Sequence, residues 1–274
     1  MSLSRPASDD PALESLLAFW AEGGVDAMLM ETPVDRIAAG RIQPPAPPAR
    51  PTPAAVAPRA GPATPDIGAA MSQAREAAAQ AEDLAALVEA IAAFDGCQLK
   101  FEGAARQAVV YRGREDATLM VIGEGPGAEE DARGQPFVGR AGQLLDRMLA
   151  AAGLADRVLI TNTVFWRPPG NRTPTPAEQM VCLPFLERAI ELVRPKMLLL
   201  AGGASAKAML KREEGILSLR GRWFEWRSST GDLELPAMPT LHPAFLLRQP
   251  AAKKRAWTDL LTLTERLDRS HRPD

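Results

Sequence analysis

The sequence predicts an α/β fold, a mostly parallel sheet with helices on both faces. Three observations carry that expectation. Short apolar runs alternate with amphipathic helical stretches from residue 118 onward. The runs TLMVIG, RVLITNTVF and KMLLLAGG lack the polar alternation of a sheet with one wet face, so they suit strands buried on both sides. Repeated strand–helix–strand units imply parallel neighbours with crossover helices.

The elements follow in order. Residues 1–42 form an N-terminal helical extension: DPALESLLAFWAEGG has Asp10 as N-cap, Pro11 in the first turn and Gly23 near the stop. Leu13, Leu16, Leu17 and Trp20 share one face of it, which offers a protein partner a docking surface. Residues 43–66 are a Pro/Ala tract with no periodicity, expected to be an extended, disordered linker. Residues 67–274 form the globular domain. It opens with one Ala-rich helix running through ALVEAIAAF, followed by the strand TLMVIG. The helix GRAGQLLDRMLAAAGL carries Leu144, Leu145, Met148 and Leu149 on one face. After RVLITNTVF, the helix TPAEQMVCLPFLERAIELV starts at an N-cap Thr175 with Pro176 in its first position. KMLLLAGG leads to a helix from Ser205. RWFEW and PAMPTLH are further strands, and AKKRAWTDLLTLTERL is the closing helix.

Composition sets the outer limits. A chain of 274 residues, 46% apolar, supports one ordinary core plus an extension. No apolar run approaches the roughly 18–20 residues that span a bilayer, and the N-terminus has no signal pattern. A soluble, cytoplasmic monomer without membrane contact is expected. The net charge of −2 is uneven: residues 1–86 carry −5 and the remainder +3. A mildly basic domain permits binding to a polyanion without requiring it. The two cysteines, Cys97 and Cys182, suit free thiols better than a disulfide.

Ligands on parallel sheets bind at the carboxyl ends of strands, and three polar sequences fall there: GEGPGAEED, TNTVFWRPPGNR and LHPAF. The first is neither a Walker loop, since no GK[ST] follows, nor a good dinucleotide fingerprint, since Glu129, Glu130 and Asp131 would repel a pyrophosphate. Phe137, between Pro136 and Gly139, is a loop anchor or a rigid face for stacking on a base. Asn162 is a turn residue or an amide presenting one donor and one acceptor in a fixed plane. His242 ends a strand, whereas the other histidine, His271, lies in a polar tail.

Together these segments match a family. GEGPGAEEDARGQPFVGRAGQLLDRML, ITNTVFWRPPGNRTPTPAE and LHPAFLLRQP resemble, in order and approximate spacing, the signature segments of family 4 uracil-DNA glycosylases. The likeness runs from about Phe94 to the last helix. It implies a three-layer α/β/α sandwich with a central four-stranded, mostly parallel sheet, and base excision repair of uracil-containing DNA without strand cleavage. It places Gly123, Glu124 and Gly125 in the first catalytic loop, Phe137 against the extruded uracil, Asn162 on its polar edge and His242 near O2. The LHPAFLLR segment would enter the minor groove with Leu246 or Leu247 as the wedge. Arg167, Arg172 and Arg248 are phosphate-contact candidates. Gly125 stands where family 1 enzymes have an Asp, so the water-positioning group is expected to be Glu124, with Glu130 and Asp131 as alternatives.

The sequence departs from the family at its iron–sulfur cluster, which four cysteines hold. Here Phe94 and Trp166 replace two of them and Cys97 and Cys182 remain. Two thiolates are too few for such a cluster, so no cofactor and no metal is expected, with the two aromatics filling the space. A related glycosylase preferring another lesion, or a non-catalytic DNA- or partner-binding descendant, stands as the alternative function.

Overall fold

The computed structural model describes residues 66–102 and 104–269. The expected N-terminal helix, the Pro/Ala tract to residue 65 and His271 lie outside these residues. Two helices come first, α1 (Ile67–Gln80) and α2 (Leu84–Ala93), where the Ala-rich run predicts one. The break is chemically satisfied on both sides. Asp83 caps α2, its Oδ1 accepting from Ala86 N at 2.8 Å. The Arg188 guanidinium donates two bonds, 3.0 and 2.8 Å, to the carbonyl of Ala81.

One sheet contains all the described strands: β1 (Tyr111–Gly113), β2 (Leu119–Gly123), β3 (Val158–Asn162), β4 (Met197–Ala201), β5 (Phe224–Arg227) and β6 (Glu234–Thr240). Their spatial order is β1-β3-β2-β4-β6-β5. The inner four, β3, β2, β4 and β6, are parallel, as expected. The outer two are antiparallel, so the sheet has six strands rather than four. β1 escapes the sequence because it is three residues long with no buried position.

The remaining helices are α3 (Ala128–Arg133), α4 (Arg140–Ala151), α5 (Pro176–Val193), α6 (Gly203–Leu210), α7 (Ile216–Leu219), α8 (Pro243–Arg248) and α9 (Lys253–Arg269). α3 and α8 fall in stretches whose sequence suggests only strand-end loops. Alternate residues of the strands serve opposite layers. Met120, Ile122, Leu198 and Leu200 pack with α1, α2 and α5. Leu119, Val121, Ile160 and Leu199 pack with Leu145 and Leu149 of α4 and Leu260 and Leu263 of α9. Every residue of β2, β3 and β4 is buried, which is why these runs carry no polar alternation. Thr175 caps α5 as expected, in a reciprocal box: Glu178 N donates to Thr175 Oγ1, and Thr175 N donates to Glu178 Oε2 at 2.7 Å. Among the described residues no helix is long and apolar enough to cross a membrane.

Candidate active site

Parallel register brings the strand ends to one edge of the sheet. Gly123 lies opposite Asn162, and Ala201 opposite Thr240. The loops leaving this edge enclose a cleft of about 550 Å³, lined by Glu124, Gly125, Phe137, Asn162, His242 and Arg248, among others. Eight of the residues singled out by the sequence, Glu124, Gly125, Glu130, Phe137, Asn162, Arg172, His242 and Arg248, from three separate segments, therefore share one cavity.

Close packing at the floor explains the glycines. A Cβ on Gly123 would collide with Asn162 Oδ1 and with the Phe137 ring. Gly123 is therefore the clearance that lets an amide and an aromatic face approach the same point. Phe137 is held with a positive φ of 54°, a conformation that costs a bulky residue strain. One residue makes room for it and another holds it. A Cβ on Gly142 of α4 would collide with the Phe137 carbonyl. Arg112 of β1 donates to the carbonyls of Pro136 at 2.7 Å and Phe137 at 3.1 Å, and pairs with Asp146 at 2.6 Å. The sequence gives no sign of this role: YRGRED reads as an ordinary charged surface stretch.

Asn162 is buried, and its Nδ2 has no hydrogen-bond partner among the described residues. A buried donor left unpaired costs about 1–3 kcal/mol, which a ligand acceptor would relieve. His242 is half-buried and caps α8, its Nδ1 accepting from Ala244 N at 3.1 Å. That bond leaves the proton of the neutral ring on Nε2. Burial, followed by the nearby Arg248 charge, pushes the imidazole down to about 4, so the neutral form prevails at physiological pH. The Phe137 and His242 rings lie 5.6 Å apart, tilted by 33°.

The three acids of the first loop separate by their partners. Glu130 accepts from Gly127 N, Val138 N and Gly139 N at 3.2, 3.1 and 2.9 Å, tying α3 to the Phe137 loop. Asp131 is buried and accepts from Arg106 N at 2.8 Å. Only the Glu124 carboxylate lines the cleft with no hydrogen bond or ion pair among the described residues. Its backbone is braced by a relay the sequence does not announce: Gln179 Nε2 donates to Thr163 Oγ1 at 3.0 Å, and Thr163 Oγ1 donates to the Glu124 carbonyl at 2.6 Å.

The rim corrects part of the expected DNA surface. Leu246 is fully buried with Leu144, Leu241 and Ala256, so it anchors α8 and is not free to act as a wedge. Leu247, half-buried, is the one of the pair left open. Arg172 lines the cleft but is committed to a bidentate pair with Glu178, at 2.9 and 2.6 Å, and to Glu102 at 3.3 Å. Arg167 bonds Asn171 Oδ1 at 2.7 Å and is not part of the cleft wall. Arg248 is exposed at the cleft.

The residues at the expected cluster position do not fit a cluster. Cys97 and Cys182 are buried with sulfurs 3.9 Å apart. Phe94 and Trp166 are buried in the same apolar cluster. Phe94 meets Phe185 edge-on at 5.1 Å, and Phe165 links Trp166 to Phe185 through edge contacts of 6.3 and 6.4 Å. Two thiols and an aromatic stack offer no third or fourth ligand, and no group of three or more His, Cys, Asp or Glu among the described residues is placed to hold a metal.

Comparison with known proteins agrees with this cleft. Residues 110–261 match the family described as the uracil DNA glycosylase superfamily. The type-4 uracil-DNA glycosylase of Pyrobaculum aerophilum is 39% identical over 57% of this chain and 81% of its own length. That of Thermotoga maritima is 39% identical over 54% and 75%, and that of Saccharolobus solfataricus 38% over 59% and 77%. With the family matched over more than half its length and its strand-end segments gathered in one cleft, the chain belongs to the uracil DNA glycosylase superfamily.

Proposed function

We propose that this chain is a uracil-DNA glycosylase acting in base excision repair: it draws uracil out of DNA and hydrolyses its N-glycosidic bond, leaving an abasic site. One observation carries the proposal beyond family membership. The cleft floor holds a buried, unpaired amide donor beside an aromatic face and a neutral imidazole donor. Uracil's edge requires a donor for O4 and an acceptor for N3–H, and Asn162 supplies both. Cytosine presents the inverse pattern, so an amide packed against Gly123 and Phe137 discriminates against it.

The chemistry follows from the same groups. The base must leave the stack to be reached, and the Phe137 ring replaces part of the lost stacking. As the bond between C1′ and N1 breaks, its electron pair goes to uracil and negative charge builds on O2. His242 Nε2–H donates to that oxygen without becoming ionised. A preorganised donor of this kind is worth about 3–4 kcal/mol. Water adds to C1′ of the sugar cation and gives its proton to Glu124, the loop carboxylate without another partner among the described residues. Arg248 and Leu247 are the rim residues best placed to meet phosphate and groove.

No step needs a metal, and we propose that Phe94 and Trp166 have taken over the cluster's structural place. An oligonucleotide with a single uracil, treated with alkali after incubation, tests the activity: strand breaks at uracil are expected, and an intact strand would overturn it. Iron and sulfide analysis of protein purified without oxygen tests the cofactor, with stoichiometric iron counting against its loss.

A further inference from the structure

Beside α8, outside the catalytic cleft, lies a second hollow of about 260 Å³ bounded by Leu144, Met148, Lys253, Lys254 and Trp257. Its floor is apolar and comes from two helices: Leu144 and Met148 of α4 and the half-buried Trp257 of α9. Its rim carries two exposed ammonium groups with no carboxylate or other partner among the described residues. Several cations elsewhere on this surface lack that freedom: Arg112, Arg157, Arg172 and Arg188 are all in ion pairs.

The hollow is continuous with the active face. Leu144 packs against Leu246 of α8 and against Leu241, the residue before His242. Arg248, at the cleft, is five residues from Lys253, a span of at most about 17 Å. That span is short enough for one DNA strand to meet both, since the charges of a strand recur about every 3.4 Å along its axis.

We propose that this hollow is a second DNA subsite, holding the strand that flanks the extruded nucleotide. Lys253 and Lys254 take successive phosphates, and the face of a sugar or base rests on Trp257 and Met148. The charge pattern selects this occupant: an apolar floor ringed by unpaired cations suits an amphipathic polyanion, and phosphate is the ligand of lysine acting as a point charge. The inference rests on the glycosylase reading for the direction of the strand, but its test does not depend on catalysis.

The test titrates the tryptophan fluorescence of the full chain with a short duplex containing no uracil. Quenching is expected in the wild type and in Trp223→Phe, and is expected to disappear in Trp257→Phe. In parallel, the double variant Lys253→Gln/Lys254→Gln should raise Kd for the same uracil-free duplex several-fold. It should also lower the slope of log Kd against log salt by about 2, one for each phosphate contact removed. Quenching that survives in Trp257→Phe, or a salt slope that does not move, would overturn the subsite. A protein partner bound there instead would leave both readouts unchanged. Wild-type chain that binds DNA with these signatures but leaves uracil in place would sink the glycosylase reading and leave the subsite standing.

Discussion

The cleft and the aromatic cluster lie in one domain and are built on opposite principles. In the cleft, polar groups stand without partners among the described residues: Asn162 Nδ2 is buried and unpaired, and the Glu124 carboxylate is unengaged. Phe137 sits in a strained backbone conformation held by Arg112 and made possible by the small volume of Gly142. The Cys97–Cys182 region has no such debts. Its two thiols meet each other, and Phe94, Trp166, Phe165 and Phe185 meet edge to face. Strain and unsatisfied groups mark where a ligand is to be bound, and satisfied packing marks where only the fold is to be held. If Phe94 and Trp166 have taken a cluster's structural place, as proposed, this contrast is what lets the strand-end segments stay recognisable without it.

The comparison can be broken by substitutions that separate stability from rate. Trp166→Ala carries the largest expected cost. The side chain is 2% exposed and among the largest in the core, so truncation should destabilise the domain by about 3–5 kcal/mol. Denaturant unfolding measures this, and the single-turnover rate of the folded fraction should stay near that of the wild type. Unaltered stability would mean that the aromatic cluster does not replace the cluster's structural role.

His242→Ala should do the reverse. Loss of one preorganised donor lowers the single-turnover rate by roughly 10²–10³, while DNA affinity and the unfolding midpoint change little. A variant that excises uracil at the wild-type rate would remove His242 from the chemistry. A large drop in stability would instead mean that its cap on Ala244 N is its main role.

A smaller effect is expected on the pH axis. His242 is held down to about 4 by burial and by Arg248, below the ordinary histidine value near 6.5. Between those values the unfolded chain binds a proton that the folded chain does not. This residue's contribution to stability is therefore complete above pH 6.5 and falls as pH drops toward 4. Excision should show no histidine-like loss between pH 7 and 6. Nitrogen-15 NMR should find the Nε2–H tautomer of His242 at pH 6. A ring titrating near 6.5 would place it in water rather than against the cleft wall.

Much of this was legible because burial writes itself into sequence. β2, β3 and β4 are buried on both faces and read as apolar runs, and α5 announces its start through Thr175 and Pro176. The cleft residues were legible because strand ends must carry them, and parallel register then brings Gly123 and Asn162 side by side. What stayed hidden is relational. Arg112 matters only because the Pro136 and Phe137 carbonyls are within its reach, and nothing in YRG says so. Leu246 and Leu247 are adjacent and chemically alike, and only the seat of α8 on Leu144 and Leu241 decides which is free. The break between α1 and α2 depends on Arg188, more than a hundred residues away in the chain.

The smallest expected effect concerns the N-terminal region. A chain beginning at Pro65 should fold and excise uracil as the full chain does. The starting point matters, because Asp66 caps α1 by accepting from Ala69 N at 3.0 Å, and losing such a cap costs about 1 kcal/mol. From α1 onward the domain supplies its own core: Ala70, Ala74 and Ala78 are buried in the cluster that contains Phe185 and Ile190 of α5. Every residue lining the cleft also lies between Glu124 and Arg248. Thermal unfolding and single-turnover excision of the shortened chain should therefore match the full chain within about twofold in rate and 1 kcal/mol in stability, the size of ordinary surface changes. A shortened chain that is insoluble or slow would show that residues 1–64 take part in the fold or the reaction, and the acidic extension with Leu13, Leu16, Leu17 and Trp20 would then be the next segment to map.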